Sequence, residues 1–174
     1  HLAKAMPFIK QGQHQAAIVE LKSALQKDAK NNRARALLGQ SYFETGSYED
    51  AEKELARALS MGVDPGLVVP VLSQVLLGLG NYDQLDELTL DGLDPEGRST
   101  VQAAKALSMM YRDNMVVAEE ISEAALKNEP PSAYALVAAA RLSMQKGDFE
   151  STRTQLERVF DKYPKYAPAW NLLG

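Results

Sequence analysis

The sequence predicts an all-α fold, an α–α superhelix in which antiparallel helix pairs follow one another along the chain. The first observation is a period: Gly12, Gly46 and Gly80 are each 34 residues apart, and Tyr48 and Tyr82 share that interval. A fixed period in the thirties is typical of repeat proteins. The second observation is that apolar residues between the glycines recur at three- and four-residue spacing, as on one face of a helix. We expect a right-handed superhelix with the first helix of each pair inside.

The best-defined repeat covers residues 32–65 and reads as helix, short turn and helix. Apolar residues at helical spacing fill its first half, and Gly46 then ends the first helix. The second helix is predicted over about 48–61, with Gly62 and Pro65 as its stop signals.

The third repeat departs from this pattern. Its second helix offers Leu85, Thr89 and Gly92 where a regular repeat has small and large apolar residues. A short helix is therefore predicted there, at roughly 82–90. Pro70 is predicted in the first turn of the first helix, where a missing N–H costs little.

Residues 1–174 are predicted to form a single solenoid, because no linker or low-complexity segment divides them. The repeats are predicted at about residues 1–31, 32–65, 66–98, 99–132 and 133–166, with the start of a further one at 167–174. Trp170, Leu173 and Gly174 match the opening signature of a repeat. Because no second helix covers this apolar end, weak self-association through it is predicted.

Composition and motifs exclude several classes of function. The net charge of −4 argues against a nucleic-acid partner, which needs a dense basic surface. The absence of cysteine excludes disulfides and thiolate metal sites in this sequence. Glycine-rich phosphate loops, nucleophile elbows and HExxH motifs do not occur, so neither an enzyme nor a cofactor or metal site is predicted. No run of about 18 apolar residues predicts a membrane span.

Two groups of polar residues leave alternatives open. His14 occupies the slot of Tyr48 one repeat earlier, where a metal or acid–base role and a packing role are both conceivable. Packing is the preferred interpretation, because no second ligand lies at metal spacing. Glu119, Glu120 and Glu123 could act as paired catalytic carboxylates, but a solvated stripe on an outer helix face is preferred.

The repeat resembles the tetratricopeptide repeat, a family with the same 34-residue period. In residues 32–65 the family positions of the first helix hold Leu38, Gly39 and Tyr42, and those of the second hold Ala51, Leu55 and Ala58. Gly39 and Ala51 are expected where the two helices cross, since only small side chains permit close approach there.

The resemblance implies a non-enzymatic scaffold with a concave groove that binds a protein or peptide, either an amphipathic helix or an apolar segment. The carboxylate clamp of chaperone-binding members is missing, since its Lys and Asn slots hold Ala36 and Gln40 in the second repeat. The alternative is that part of this lining packs on neighbouring helices. The implied groove residues are Arg33, Gln40, Phe43, Leu77, Leu107, Met110, Tyr111, Tyr134, Val137, Arg141 and Met144.

A narrower resemblance concerns residues 16–59 and 62–88 together with the irregular third repeat. These stretches look like the N-terminal part of the TPR-repeat lipoprotein of the PEP-CTERM/exosortase system of Gram-negative bacteria. That resemblance implies a lipid-anchored scaffold on the periplasmic side of the cell envelope, linked to exopolysaccharide export or protein sorting. The alternative is a generic adaptor in pilus or secretion-system assembly, and a cytoplasmic place stays open.

Overall fold

The computed structural model describes residues 1–173, and within them helices form 77% of the chain and no strand occurs. The predicted all-α class is confirmed. The helices in chain order are α1 (Leu2–Lys10), α2 (His14–Lys27), α3 (Asn32–Glu44), α4 (Tyr48–Ser60), α5 (Pro65–Leu79), α6 (Tyr82–Glu87), α7 (Pro95–Tyr111), α8 (Met115–Leu126), α9 (Ala133–Gln145), α10 (Phe149–Lys162) and α11 (Ala167–Leu173).

The helices group into two compact units, His1–Asn81 (unit 1) and Tyr82–Gly174 (unit 2). In each unit, helices that are neighbours in the chain pack on one another. The first helix of a repeat also contacts the first helix of the next, as α3 does with α5 and α7 with α9. That the two units belong to one solenoid stays a prediction.

The glycines that set the 34-residue period are turn residues. Gly12, Gly46 and Gly80 adopt φ values of 69°, 77° and 72°, in the left-handed region that glycine enters without steric cost. At the corresponding turn of unit 2, Asp113 takes this role with φ 58°, and aspartate is among the few other residues that tolerate it.

Several helices begin at a polar side chain that satisfies a free backbone N–H of the first turn. In unit 1, Asn31 Oδ1 accepts from Ala34 N at 2.9 Å. In unit 2, Asp94 Oδ1 accepts from Gly97 N at 2.7 Å. These caps explain why α3 and α7 start where they do.

Close packing in unit 1 centres on the crossing of α3 and α4. A Cβ atom built on Gly39 would lie 2.6 Å from Leu55 Cγ and 3.1 Å from Leu55 N. Leu55 and Ala51 are fully buried at this crossing. The predicted role of Gly39 in close helix approach is confirmed.

A buried ion pair joins the same two helices. Arg35 is 5% exposed, and its Nη1 donates to Glu54 Oε2 at 2.6 Å. Its Nη2 donates to the carbonyl oxygen of Ala29 at 3.0 Å, in the turn that precedes α3. The guanidinium therefore ties α3 to α4 and to its own entry turn.

The predicted details at Pro65 and Pro70 were wrong. Pro65 does not stop α4, which ends at Ser60 with Gly62 in the left-handed region. It is instead the first residue of α5, behind the cap in which Asp64 Oδ1 accepts from Gly66 N. Pro70 therefore lies inside α5 and not in its first turn, where it removes one helical hydrogen bond.

In unit 2, α6 is short as predicted but ends at Glu87, three residues before the predicted end. Two cations of α7 hold it. Lys105 Nζ donates to the carbonyl oxygens of Asp86 at 3.0 Å and Leu88 at 2.7 Å. Arg112 Nη2 donates to Asp86 Oδ2 at 2.8 Å. Partial burial lowers the pKa of the Lys105 ammonium, and the nearby Asp86 carboxylate opposes this shift.

The end of the chain is described up to Leu173. Trp170 is 54% exposed, lies against the ring of Phe160 with centroids 4.4 Å apart, and donates from Nε1 to the Pro164 carbonyl oxygen. The side chain of Leu173 and all of Gly174, which completed the predicted repeat signature, lie outside the described residues.

Replacing Gly39 with alanine tests the helix crossing. We expect Gly39→Ala to lower the free energy of unfolding by about 1–3 kcal/mol, because the new methyl group meets a buried Leu55. Gly66→Ala is the matched control: its Cβ would meet only Asp64 Oδ1 at 3.4 Å, so higher helix propensity should leave stability equal or slightly raised. Urea unfolding monitored by circular dichroism measures both. Equal stability of the two variants would contradict this packing.

Candidate functional site

A cleft lies in unit 1 along the first helices of successive repeats. It has a volume of about 260 Å³ and is formed by the end of α1, the start of α2, the second half of α3 and the middle of α5. We call it the unit-1 cleft. It is lined by Ile9, His14, Leu37, Gln40, Ser41, Phe43, Glu44 and Val71.

The repeat period explains the apolar part of this lining. Ile9 and Phe43 are 34 residues apart, and so are Leu37 and Val71. Residues at the same slot of successive repeats face the same way, so each pair forms a row across the first helices. Comparing these slots across repeats is the sequence signal that could have added Ile9, Leu37 and Val71 to the predicted site.

Polar groups sit at defined points of the cleft. Gln40 Nε2 donates to the carbonyl oxygen of Leu67 at 2.8 Å, which fixes the amide against the start of α5. Glu44 is exposed at the rim, beside Phe43. The ring of Phe43 stacks on that of Tyr48, with centroids 5.9 Å apart. The cleft thus has apolar walls with polar groups that can orient a ligand.

His14 joins the unit-1 cleft to a second cavity. This neighbour, of about 390 Å³, lies at the turn between α1 and α2 and shares His14 and Glu44 with the cleft. The imidazole is half-buried, and its Nδ1 is inaccessible and without a hydrogen-bond partner. Within the described residues, no group of three or more His, Asp or Glu side chains could hold a metal ion. The half-buried ring is consistent with the packing interpretation.

The structure brings together only part of the predicted groove set in unit 1. Gln40 and Phe43 both line the cleft. Arg33 is exposed and Leu77 is half-buried, and neither lines it.

In unit 2, two predicted groove residues lie in the core. Leu107 is 2% exposed and Val137 is 4% exposed. Val137 belongs to a buried cluster with Leu156 and Val159 of α10 and Ala169 of α11. These two side chains offer almost no surface to a partner, so the alternative of packing on neighbouring helices describes them.

The remaining predicted residues of unit 2 keep accessible surface. Tyr111 is 48% exposed, and Arg141 Nη1 donates to its hydroxyl oxygen at 3.3 Å. Met110, Tyr134 and Met144 are half-buried. We call these five residues the unit-2 surface. It combines flexible thioethers with a paired phenol and guanidinium.

Comparison with known proteins gives a class to this fold. Residues 8–68 match the family model of the tetratricopeptide repeat. Superkiller complex protein 3 of Mus musculus is 29% identical over 83 residues, which cover 48% of this chain. The matched stretch is only 5% of that much longer relative.

Solved structures share the fold. A thermophilic TPR protein of Thermus thermophilus has a TM-score of 0.75 at 16% identity, covering 97% of this chain and 92% of the other. YrrB, a TPR protein with an unusual peptide-binding site, has a TM-score of 0.62 at 18% identity, covering 98% and 89%. PilW, a type IV pilus biogenesis factor, has a TM-score of 0.61 at 15% identity, covering 99% and 96%.

These findings support a tetratricopeptide repeat protein with the helix-pair fold of that class. The fold is that of protein–protein interaction modules, which are generally non-enzymatic and bind protein or peptide partners. Within the described residues, every helix is too short or too polar to span a lipid bilayer.

Alanine substitutions should separate core positions from surface positions in unit 2. We expect Leu107→Ala to lower the free energy of unfolding by about 2–5 kcal/mol, since it leaves a cavity among buried side chains. Tyr111→Ala should cost about 1 kcal/mol or less, because its ring is half exposed. Thermal and urea unfolding measure both changes. A small loss for Leu107→Ala would show that this residue lies in an open groove.

Proposed function

We propose that this protein is a non-enzymatic scaffold that holds an apolar segment of a partner protein in the unit-1 cleft. The observation that carries the proposal is the lining of the cleft. Rows of apolar side chains from successive repeats form its walls, and Gln40, Glu44 and His14 are its polar points. Apolar walls with a few placed polar groups are typical of sites that recognise one orientation of a ligand.

The size of the cleft favours a peptide over a metabolite. At about 260 Å³ it is smaller than drug-sized pockets, which hold about 300–1,000 Å³. One or two apolar side chains fill such a space, as when an amphipathic helix anchors its apolar face in a groove. The fixed Gln40 amide and the exposed Glu44 carboxylate can then bond to the polar backbone or flank of that segment.

The unit-2 surface is a second proposed contact region. Methionine adapts its shape to irregular partners, so Met110 and Met144 suit a segment of variable sequence. Arg141 and Tyr111 supply a cation and a phenol that can bond to polar groups of the same partner. The exposed ring of Trp170 on α11 is proposed as a place of weak self-association.

We further propose that the scaffold works in the Gram-negative cell envelope, on the periplasmic side and lipid-anchored, in exopolysaccharide export or PEP-CTERM protein sorting. The support is the resemblance of residues 16–59 and 62–88 to the lipoprotein of that system. The alternative is an adaptor in pilus or secretion-system assembly. The pilus factor PilW shares its fold, and at 15% identity that likeness carries the fold alone.

Photo-crosslinking in the native host tests the face and the pathway together. With p-benzoylphenylalanine in place of Phe43, we expect a crosslink to a specific protein, identified by mass spectrometry. The same replacement at Val19 is the control, since Val19 is 63% exposed on α2 and outside the cleft.

The identity of the crosslinked protein separates the two pathways. A component of exopolysaccharide export or protein sorting supports the envelope proposal, and a pilus component supports the alternative. Crosslinks from position 19 but not from position 43 would overturn the assignment of the cleft. A dimer crosslinked from position 43 would show that the cleft binds a second copy of the chain.

A further inference from the structure

A second cavity in unit 2 lies away from every predicted groove residue. It has a volume of about 260 Å³ and is formed by α8, α9, the turn after α9 and the start of α10. We call it the α8–α10 pocket. Its polar lining includes Glu119, Ser122, Glu123, Lys146 and Asp148.

The charges in this pocket do not balance. Lys146 forms an ion pair with Glu119, so these two neutralise each other. The carboxylates of Glu123 and Asp148 remain. Asp148 Oδ1 accepts from the backbone N–H of Ser151 at 3.0 Å, and this hydrogen bond lowers the pKa of Asp148. Within the described residues, Glu123 has no ion-pair partner, so the pocket carries an uncompensated negative charge.

A buried hydroxyl adds an independent observation. Ser122 lines the pocket and is only 7% exposed. Its hydroxyl forms no hydrogen bond with any other part of the chain that the structure describes. Buried polar side chains are nearly always hydrogen-bonded, so a ligand or water in the pocket is the partner left for this hydroxyl.

The rest of the lining fits an aliphatic stem. Leu126 of α8 and Ala139 and Leu142 of α9 give the pocket an apolar side next to the carboxylates. Arginine and lysine bury their methylene groups on apolar surface and keep the charged end at polar groups. Among the described residues, the acidic groups do not form a cluster that could hold a metal ion.

We propose that the α8–α10 pocket binds an arginine side chain presented by a partner protein. The guanidinium donates to the Glu123 carboxylate and to the Ser122 hydroxyl oxygen, while the methylene stem lies on Ala139 and Leu142. Arginine suits this arrangement better than lysine, because its planar fork donates in fixed directions to two acceptors at once. The pocket shares no residue with the unit-1 cleft or the unit-2 surface, so this inference does not rest on either of them.

The test uses N-acetyl-arginine N-methylamide as the probe and ¹⁵N-labelled protein observed by NMR. We expect saturable shifts of the amides around Ser122, Leu142 and Asp148, with a millimolar dissociation constant that rises with salt. Glu123→Gln should weaken binding about two- to fivefold, the range expected for a solvent-exposed charge pair. Glu120→Gln is the matched control: this neighbour on α8 is exposed, does not line the pocket, and should leave binding unchanged.

Several results would overturn the proposal. The citrulline analogue has the same shape without the charge, so equal binding of that analogue would remove the guanidinium from the account. Equal weakening by Glu120→Gln would show a diffuse charge effect. Tighter binding of calcium chloride with the same shift pattern would assign the pocket to a metal ion. The absence of saturable shifts with the arginine probe would leave no arginine site.

Discussion

The close approach of paired helices is the constraint on which the rest of the structure depends. At the crossing of α3 and α4, Gly39 leaves no room for a methyl group against Leu55, and Ala51 and Ala58 of α4 are fully buried. Small residues at such crossings let helix backbones approach, and the larger side chains around them then fill the core. Each pair thereby becomes a rigid element whose orientation is set by packing and not by its loops.

This packing decides which side chains are left for a partner. The first helix of a repeat spends one face on its own second helix and another on the next repeat, which leaves a narrow stripe exposed. In unit 1 that stripe carries Phe43 and Gln40, and successive repeats place Ile9 and Val71 beside them. In unit 2 the same logic buries Leu107 and Val137, since packing within that unit covers those slots. The same period thus produces an open row in one unit and core in the other.

The sequence predicts the regular parts of this structure and misses what tertiary packing decides. The 34-residue period gives the helix pairs and their glycine turns, because turn geometry and apolar spacing are local properties. The end of α6 at Glu87 could not be predicted, since Lys105 and Arg112 fix it from another helix. Pro70 was misplaced because the Asp64 cap starts α5 earlier than expected. The unpaired Nδ1 of His14 and the pocket around Ser122 follow from contacts between helices, which single-sequence patterns do not carry.

Mapping where an apolar peptide binds tests the central claim most directly, namely that packing leaves the unit-1 cleft as the partner-binding face. A peptide selected from a random library on the immobilised protein is added to ¹⁵N-labelled protein, and the shifted amides are assigned. The account predicts that the shifts cluster at Ile9, Phe43 and Val71 and disappear in Phe43→Ala. Shifts confined to the outer faces of α2 and α4, with binding to Phe43→Ala unchanged, would contradict it.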